Sequence, residues 1–185
     1  MNSGGIRRLP QLAVGLLVLV ALVATVRLYF QPGAGSARSG GGPAALAGAP
    51  AQSYTLARLD GKSDGLAAYR GHVVLVNLWA SWCAPCRSET PALEQLYEES
   101  RHRGLVVLGI DQGESAATAR AFAKDMRLSY PILVDQDQQY GRAYAAIGLP
   151  TSLVVDRGGR IVRGFDGEMS LAAMRDAVRP LLLRP

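Results

Sequence analysis

The 185 residues include only two cysteines and two histidines, and the first fifty positions contain no acid at all. Each shortage excludes something. With no cysteine before Cys83, lipidation of an N-terminal cysteine is ruled out. A structural zinc site takes four Cys or His ligands, and His72 and His102 stand far from Cys83 and Cys86 along the chain. No internal repeat is present. The net charge of +5 at first suggests an anionic partner, but its placement argues otherwise. Arg7, Arg8, Arg27 and Arg38 lie in the acid-free first fifty residues. Removing these four from the 20 basic residues leaves 16 against 15 acids, so the charge of the rest of the chain does not argue for nucleic acid.

What is present begins with a long apolar run. Residues 9–26 are 18 uncharged positions, which as a helix at about 1.5 Å per residue cover about 27 Å, near the thickness of a bilayer core. Arg7 and Arg8 precede the run, and Tyr29 and Phe30 suit the far interface. Residues 1–30 are therefore expected to form a cytoplasmic stub and a transmembrane anchor in the lipid bilayer. The competing reading is a cleaved signal peptide, whose apolar core is usually about 7–15 residues. Residues 31–52, rich in Gly, Ala, Pro and Ser, read as a flexible linker spanning roughly 25 Å.

From residue 53 to 185 the pattern is that of one folded domain. Strands are expected at 54–59, 73–79, 105–110 and 132–134, and helices at 84–100, 116–126, 138–146 and 170–183. Segments 152–156 and 161–165 flank Arg157-Gly158-Gly159-Arg160 and read as a hairpin. Strands alternating with helices and closing on a hairpin predict an α/β fold with a mixed central sheet.

Both cysteines fall in Trp82-Cys83-Ala84-Pro85-Cys86, directly after the apolar strand and at the start of a helix. Three readings fit such a spacing: half of a metal site, a small structural disulfide, or a redox pair. The strand-to-helix position favours the last, because amide N–H groups and the helix dipole stabilise a thiolate there. Pro85 has no N–H to donate to that thiolate, and no histidine lies between the cysteines. Both features point to a reducing poise. Trp82 reads as a cover for the pair and an apolar docking surface.

The stretch from Val74 through Asn77, Trp79 and Trp82-Cys83-Ala84-Pro85-Cys86 to Glu89 and Pro91 resembles the active-site block of the TlpA/ResA-like branch of the thioredoxin superfamily. The likeness continues through Gly113-Glu114-Ser115 and Gly148-Leu149-Pro150-Thr151-Ser152. The resemblance implies a thioredoxin fold behind a membrane anchor and a thiol–disulfide oxidoreductase working outside the cytoplasm without a cofactor. It implies a Cys83–Cys86 redox disulfide with Cys83 as the exposed attacking thiol and Cys86 as the buried resolving thiol. It further implies a cis Pro150, with Leu149 presenting its backbone to an incoming chain, and Pro91 as a kink in the active-site helix. Asn77 stands where thioredoxin has a proton-transferring Asp. Glu89 matches a carboxylate linked to thiol pKa and substrate recognition, and Glu114 a second acidic position near the groove. Implied partners are disulfide-containing exported proteins, apocytochrome c among them, and a membrane protein that donates thiol electrons. The rival readings are the same fold run as an oxidant or isomerase, and a copper-handling module. A peroxidase would need Pro-x-x-x-Thr-x-x-Cys, whereas position 80 is Ala.

Overall fold

A computed structural model describes residues 43–183 of the chain. The expected anchor at 1–30 and the start of the linker lie outside the described residues. No helix among the described residues is long and apolar enough to cross a membrane.

The centre of the fold is β3 (Val73–Trp79), whose seven residues are all buried. Only Asn77 among them is polar, so the strand is apolar on both faces, as a strand covered on both sides must be. Beside it run β4 (Leu105–Gln112) and β5 (Ile132–Asp135), parallel to it and to each other. On the other side β6 (Thr151–Val155) and β7 (Ile161–Asp166) form the expected antiparallel hairpin. Two short strands, β1 (Leu56–Arg58) and β2 (Ser63–Asp64), complete the far edge, giving the order β2-β1-β5-β4-β3-β6-β7. The α/β layer with a mixed sheet is thus the architecture observed.

Because side chains alternate across a strand, β3 feeds two separate cores. Val73, Leu75 and Trp79 face α1 (Ala84–Ser100), α2 (Ala116–Asp125) and α4 (Leu171–Leu182), packing with Leu93, Leu96, Phe122, Met174 and Val178. Val74, Val76 and Leu78 face the other way, toward Leu66 and the two buried tyrosines, Tyr140 and Tyr144, at α3 (Gln139–Ala143). The same alternation puts Asn77 on the α1 side.

Three differences from the sequence-based expectation have local causes. First, β1 is shorter than expected and turns at Asp60-Gly61 into β2, where Gly61 takes a positive φ of 84°. Second, α3 ends at Ala143 rather than 146, because Ala145 adopts a left-handed φ of 49°. Third, the end of the expected linker belongs to the folded unit. Residues 48–51 lie along the start of β7, with Gly48 N–H to Ile161 O at 2.7 Å, Ile161 N–H to Ala49 O at 2.9 Å and Ala51 N–H to Gly159 O at 2.9 Å. These bonds occupy backbone groups that an edge strand otherwise leaves open, and Leu46 packs on the second core.

The 3₁₀ turn Pro43–Leu46 sits directly on Gly164, where any Cβ would meet the Pro43 backbone well inside van der Waals contact. Gly164→Ala is therefore expected to lift this turn off β7 and cost about 1–3 kcal/mol. Thermal unfolding, together with faster proteolysis around residue 46, checks it.

Candidate active site

The chain leaves β3 at Trp79, turns through Ala80-Ser81-Trp82 and enters α1 with Cys83 as the N-cap. Cys83 and Cys86 form a disulfide with an S–S distance of 2.04 Å. Pro85 lies in the first turn of the helix, where a missing N–H costs nothing. The Cys86 N–H donates to Cys83 Sγ at 3.3 Å, so one amide of the helix start points at that sulfur. The resemblance implied an exposed Cys83, but in the disulfide form it is only 4% exposed, packed within the α1-side core. Exposure falls instead to the neighbouring Trp82, at 71%.

Beneath the helix, Glu89 lies one turn beyond Cys86 and is 2% exposed. A glutamate at this spacing also suits a wet helix face, and the fold places this one in the interior. Asn77 donates to Glu89 Oε1 at 2.7 Å and to Ser152 Oγ at 3.0 Å, while the Met169 N–H donates to Glu89 Oε2 at 2.9 Å. Burial pushes the Glu89 carboxyl up to about 7. The two hydrogen bonds work against that rise, and the nearby Glu168 carboxylate adds to it. A carboxyl poised there can take or give a proton at neutral pH. Pro91 lies inside α1, and the Thr90 hydroxyl donates to the Cys86 carbonyl at 2.7 Å.

Glu114 lies on the other side of the turn. Its carboxylate accepts from the Ser81 N–H and from the Ser81 hydroxyl, each at 2.6 Å. Burial alone would raise its pKa, but the bonds from Ser81, with one shared with Asp111, outweigh that and hold it below the usual carboxylate range. Glu114 is thus a clamp on the turn that delivers Trp82 and Cys83. The Arg87 guanidinium holds the same turn from outside, donating to the Ser81 carbonyl at 3.3 Å.

The Leu149–Pro150 peptide is cis, and Thr151 pairs with Leu78. That register sets Leu149 and Pro150 beside the end of β3, next to the segment that leads to Cys83. An open groove of about 400 Å³ runs from Trp82 past Leu149 and Ile147 to Arg142, Gln138 and Gln112. Ile147, 80% exposed, lines this groove together with Trp82.

The structure therefore gathers Trp82, Cys83, Pro85, Cys86, Glu89, Glu114, Leu149 and Pro150 at the C-terminal end of β3 and beside it. His72 directly precedes β3, and His102 follows α1, so both lie at the opposite end of a strand about 23 Å long. No role for Ser81, Asp111, Ile147 or Ser152 is legible in the sequence. Their types are unremarkable in sequence, and only the tertiary fold shows what they touch.

Residues 47–163 match the AhpC/TSA family. Among relatives, the thiol-disulfide oxidoreductase ResA of Geobacillus thermodenitrificans is 32% identical over 127 residues, covering 69% of this chain and 73% of that protein. Two solved structures share the fold. A thiol:disulfide interchange protein of the thioredoxin family from Chlorobium tepidum is 30% identical, with a TM-score of 0.65, covering 72% of this chain and 95% of that one. A secreted thiol-disulfide isomerase from Corynebacterium glutamicum is 29% identical, with a TM-score of 0.67, covering 72% and 86%. With a thioredoxin-like sheet carrying a Cys-x-x-Cys disulfide at the head of a helix, the chain belongs to the AhpC/TSA family as a thiol–disulfide oxidoreductase of the ResA type.

Proposed function

We propose that this protein is a membrane-tethered reductase acting outside the cytoplasm on disulfides of exported proteins. The observation that carries the dithiol chemistry is the buried Glu89 one turn beyond Cys86, its carboxyl pushed up to about 7, while Pro85 and the lack of a histidine between the cysteines support the reducing direction. A proton acceptor at that place is what the second half of a dithiol reduction needs.

In the reaction, the Cys83 thiolate attacks a disulfide sulfur of the partner. A Cys83–partner disulfide forms, and the partner's first sulfur leaves as a thiolate and takes a proton from solvent. Cys86 then gives its thiol proton to the Glu89 carboxylate and attacks the Cys83 sulfur. The Cys83–Cys86 disulfide forms and the second partner thiol is released. Two electrons pass from the enzyme dithiol to the partner disulfide. A membrane protein carrying thiol electrons outward restores the dithiol, with the apolar run 9–26 keeping the domain at the bilayer. The groove beside Trp82, Ile147 and Leu149 receives an extended partner segment, and an unfolded chain such as apocytochrome c, with its Cys-x-x-Cys-His haem site, suits an open groove.

Trapping tests the scheme. With Cys86→Ser the mixed disulfide cannot be resolved, so exported thiol proteins are expected to accumulate as covalent adducts that dithiothreitol releases. Absence of any adduct in cells expressing that variant removes the proposal. The direction of electron flow is read from the reduction potential. A value near or below about −250 mV supports a reductase, and one above about −180 mV makes the protein a disulfide donor or isomerase. Ile147→Asp is expected to raise KM for an unfolded disulfide substrate roughly tenfold with little change in kcat, because it places a charge in the apolar wall of the groove. Steady-state kinetics on a series of disulfide-bonded peptides measures it.

A further inference from the structure

Two buried acids lie at or next to the C-terminal ends of adjacent strands, and they are treated very differently by their surroundings. Asp135, at the end of β5, is met by three N–H donors: Gln112 Nε2 at 3.1 Å, and the amides of Gln139 at 2.9 Å and Tyr140 at 2.8 Å. Asp111, in β4, is also wholly buried, yet one donor reaches it, the Glu114 N–H at 3.2 Å to Oδ1. Its Oδ2 has no hydrogen-bond donor among the described residues. An ionised carboxylate oxygen left so is costly, on the order of the full desolvation of a charged group.

The group within reach of Asp111 is another carboxylate, that of Glu114. Two carboxylates that share a hydrogen bond cannot both be ionised without strong repulsion, so the pair holds one proton. The hydrogen bonds decide which acid has it. Glu114 already accepts two short bonds from Ser81, which favour its charged form. Asp111 has an empty oxygen and a burial that disfavours charge. No cation pairs with Asp111 among the described residues.

We propose that Asp111 is a proton-holding positioning residue, whose protonated Oδ2 donates to Glu114 and thereby fixes the grip of Glu114 on the Ser81 turn that carries Trp82 and Cys83. The register supports this placement. Asp111 is paired with Trp79, the last residue of β3, and alternation along β4 puts it with Leu105 and Val107 on the α1 side of the sheet, where the turn passes. Burial, then the facing Glu114 carboxylate, push the Asp111 carboxyl up to about 8, with Asp135 adding and the Glu114 N–H opposing. Above that pH the proton goes to solvent, the two carboxylates repel, and the turn loses the two bonds that Glu114 gives it. Arg87 alone then holds Ser81, through its carbonyl.

The test uses the full chain in its disulfide form, so that neither cysteine titrates. Hydrogen exchange of the Ser81 amide is followed from pH 6 to 9.5 and corrected for intrinsic base catalysis. In the native protein protection is expected to fall at least tenfold between pH 7 and 9. Asp111→Asn supplies a permanent N–H donor to Glu114, so protection stays high and flat across the range. Asp111→Ala removes the donor and leaves Ser81 poorly protected at every pH. A flat profile in the native protein, or an Asp111→Asn profile that still steps like the native one, overturns the proposal. The Asn variant is isosteric and decides the matter even if the Ala variant fails to fold. Glu89 also titrates near neutrality but is untouched in Asp111→Asn, so its contribution is subtracted by the comparison. The proposal stands apart from the reductase reading. Exchange in the disulfide form needs no turnover, and a failure of one is not a failure of the other.

Discussion

Cys83→Ser is expected to lower the rate of disulfide reduction at pH 7 by about 10⁴-fold or more, while leaving the fold intact. The size follows from the chemistry of the attacking atom. A cysteine with an unshifted pKa is already a few per cent thiolate at neutral pH and strongly nucleophilic toward sulfur, whereas a serine hydroxyl is hardly ionised at all. The structure keeps the substitution mild for stability. Residue 83 is an N-cap, and serine is among the best residues for that position, with an oxygen able to accept the Cys86 amide in place of the sulfur. Turnover of a fluorescent disulfide substrate should therefore vanish while the thermal midpoint moves only by the lost Cys83–Cys86 crosslink. Cys86→Ala closes the argument from the other side. It leaves the first attack alive and stops the second, so a stoichiometric burst of released partner thiol without turnover is the expected trace. A residual rate in Cys83→Ser comparable to the native protein would assign the attack to the wrong sulfur.

The parts of this fold that the sequence made plain are those where one physical demand dominates. The run Val73–Trp79 had to be a covered strand because no face of it is polar enough for water. The cysteine pair could be placed at a helix start because the strand ends and a proline follows at a position where its missing N–H is harmless. What stayed hidden depends on contacts between distant segments. Residues 43–52 are poor in large apolar groups and read as a linker, yet they fold because β7 has an open edge and Gly164 leaves space for the chain to lie on it. Glu89 sits at a spacing that suits either water or the interior, and only Asn77 and Met169, 12 positions before and 80 after, select the interior. Asp111 is the furthest from legibility. An Asp at a strand end usually marks a turn, whereas this one is sealed under a turn and faces a second acid.

Glu89→Gln is expected to slow the resolving step at pH 7 by about 10²-fold, the usual worth of a placed general base, and to erase an inflection near pH 7. In the native protein the rate of Cys86 attack should rise as pH passes the Glu89 pKa of about 7, because only the carboxylate accepts the thiol proton. The glutamine has no such form, so its profile follows thiol ionisation alone. Stopped-flow release of the second partner thiol across pH 5 to 9 reads both effects. An inflection that persists in the variant would move the proton acceptor elsewhere. Stability supplies an independent sign. Glu89 has a folded pKa raised above the 4.5 of an exposed glutamate. The folded state thus holds its proton more tightly than the unfolded state. The resulting stabilisation is fully present below pH 4.5 and is lost as pH climbs through about 7. Asp111 contributes with the same sign between 3.8 and about 8. The native domain should therefore unfold more readily at pH 8 than at pH 5. Glu89→Gln should flatten part of that slope, and adding Asp111→Asn most of the rest. The glutamine amide competes with Asn77 Nδ2 for the same side of the site, but Asn77 can turn its oxygen toward it and leave Ser152 to donate. The variant therefore keeps its packing while losing its proton, and the kinetic loss reports chemistry rather than unfolding.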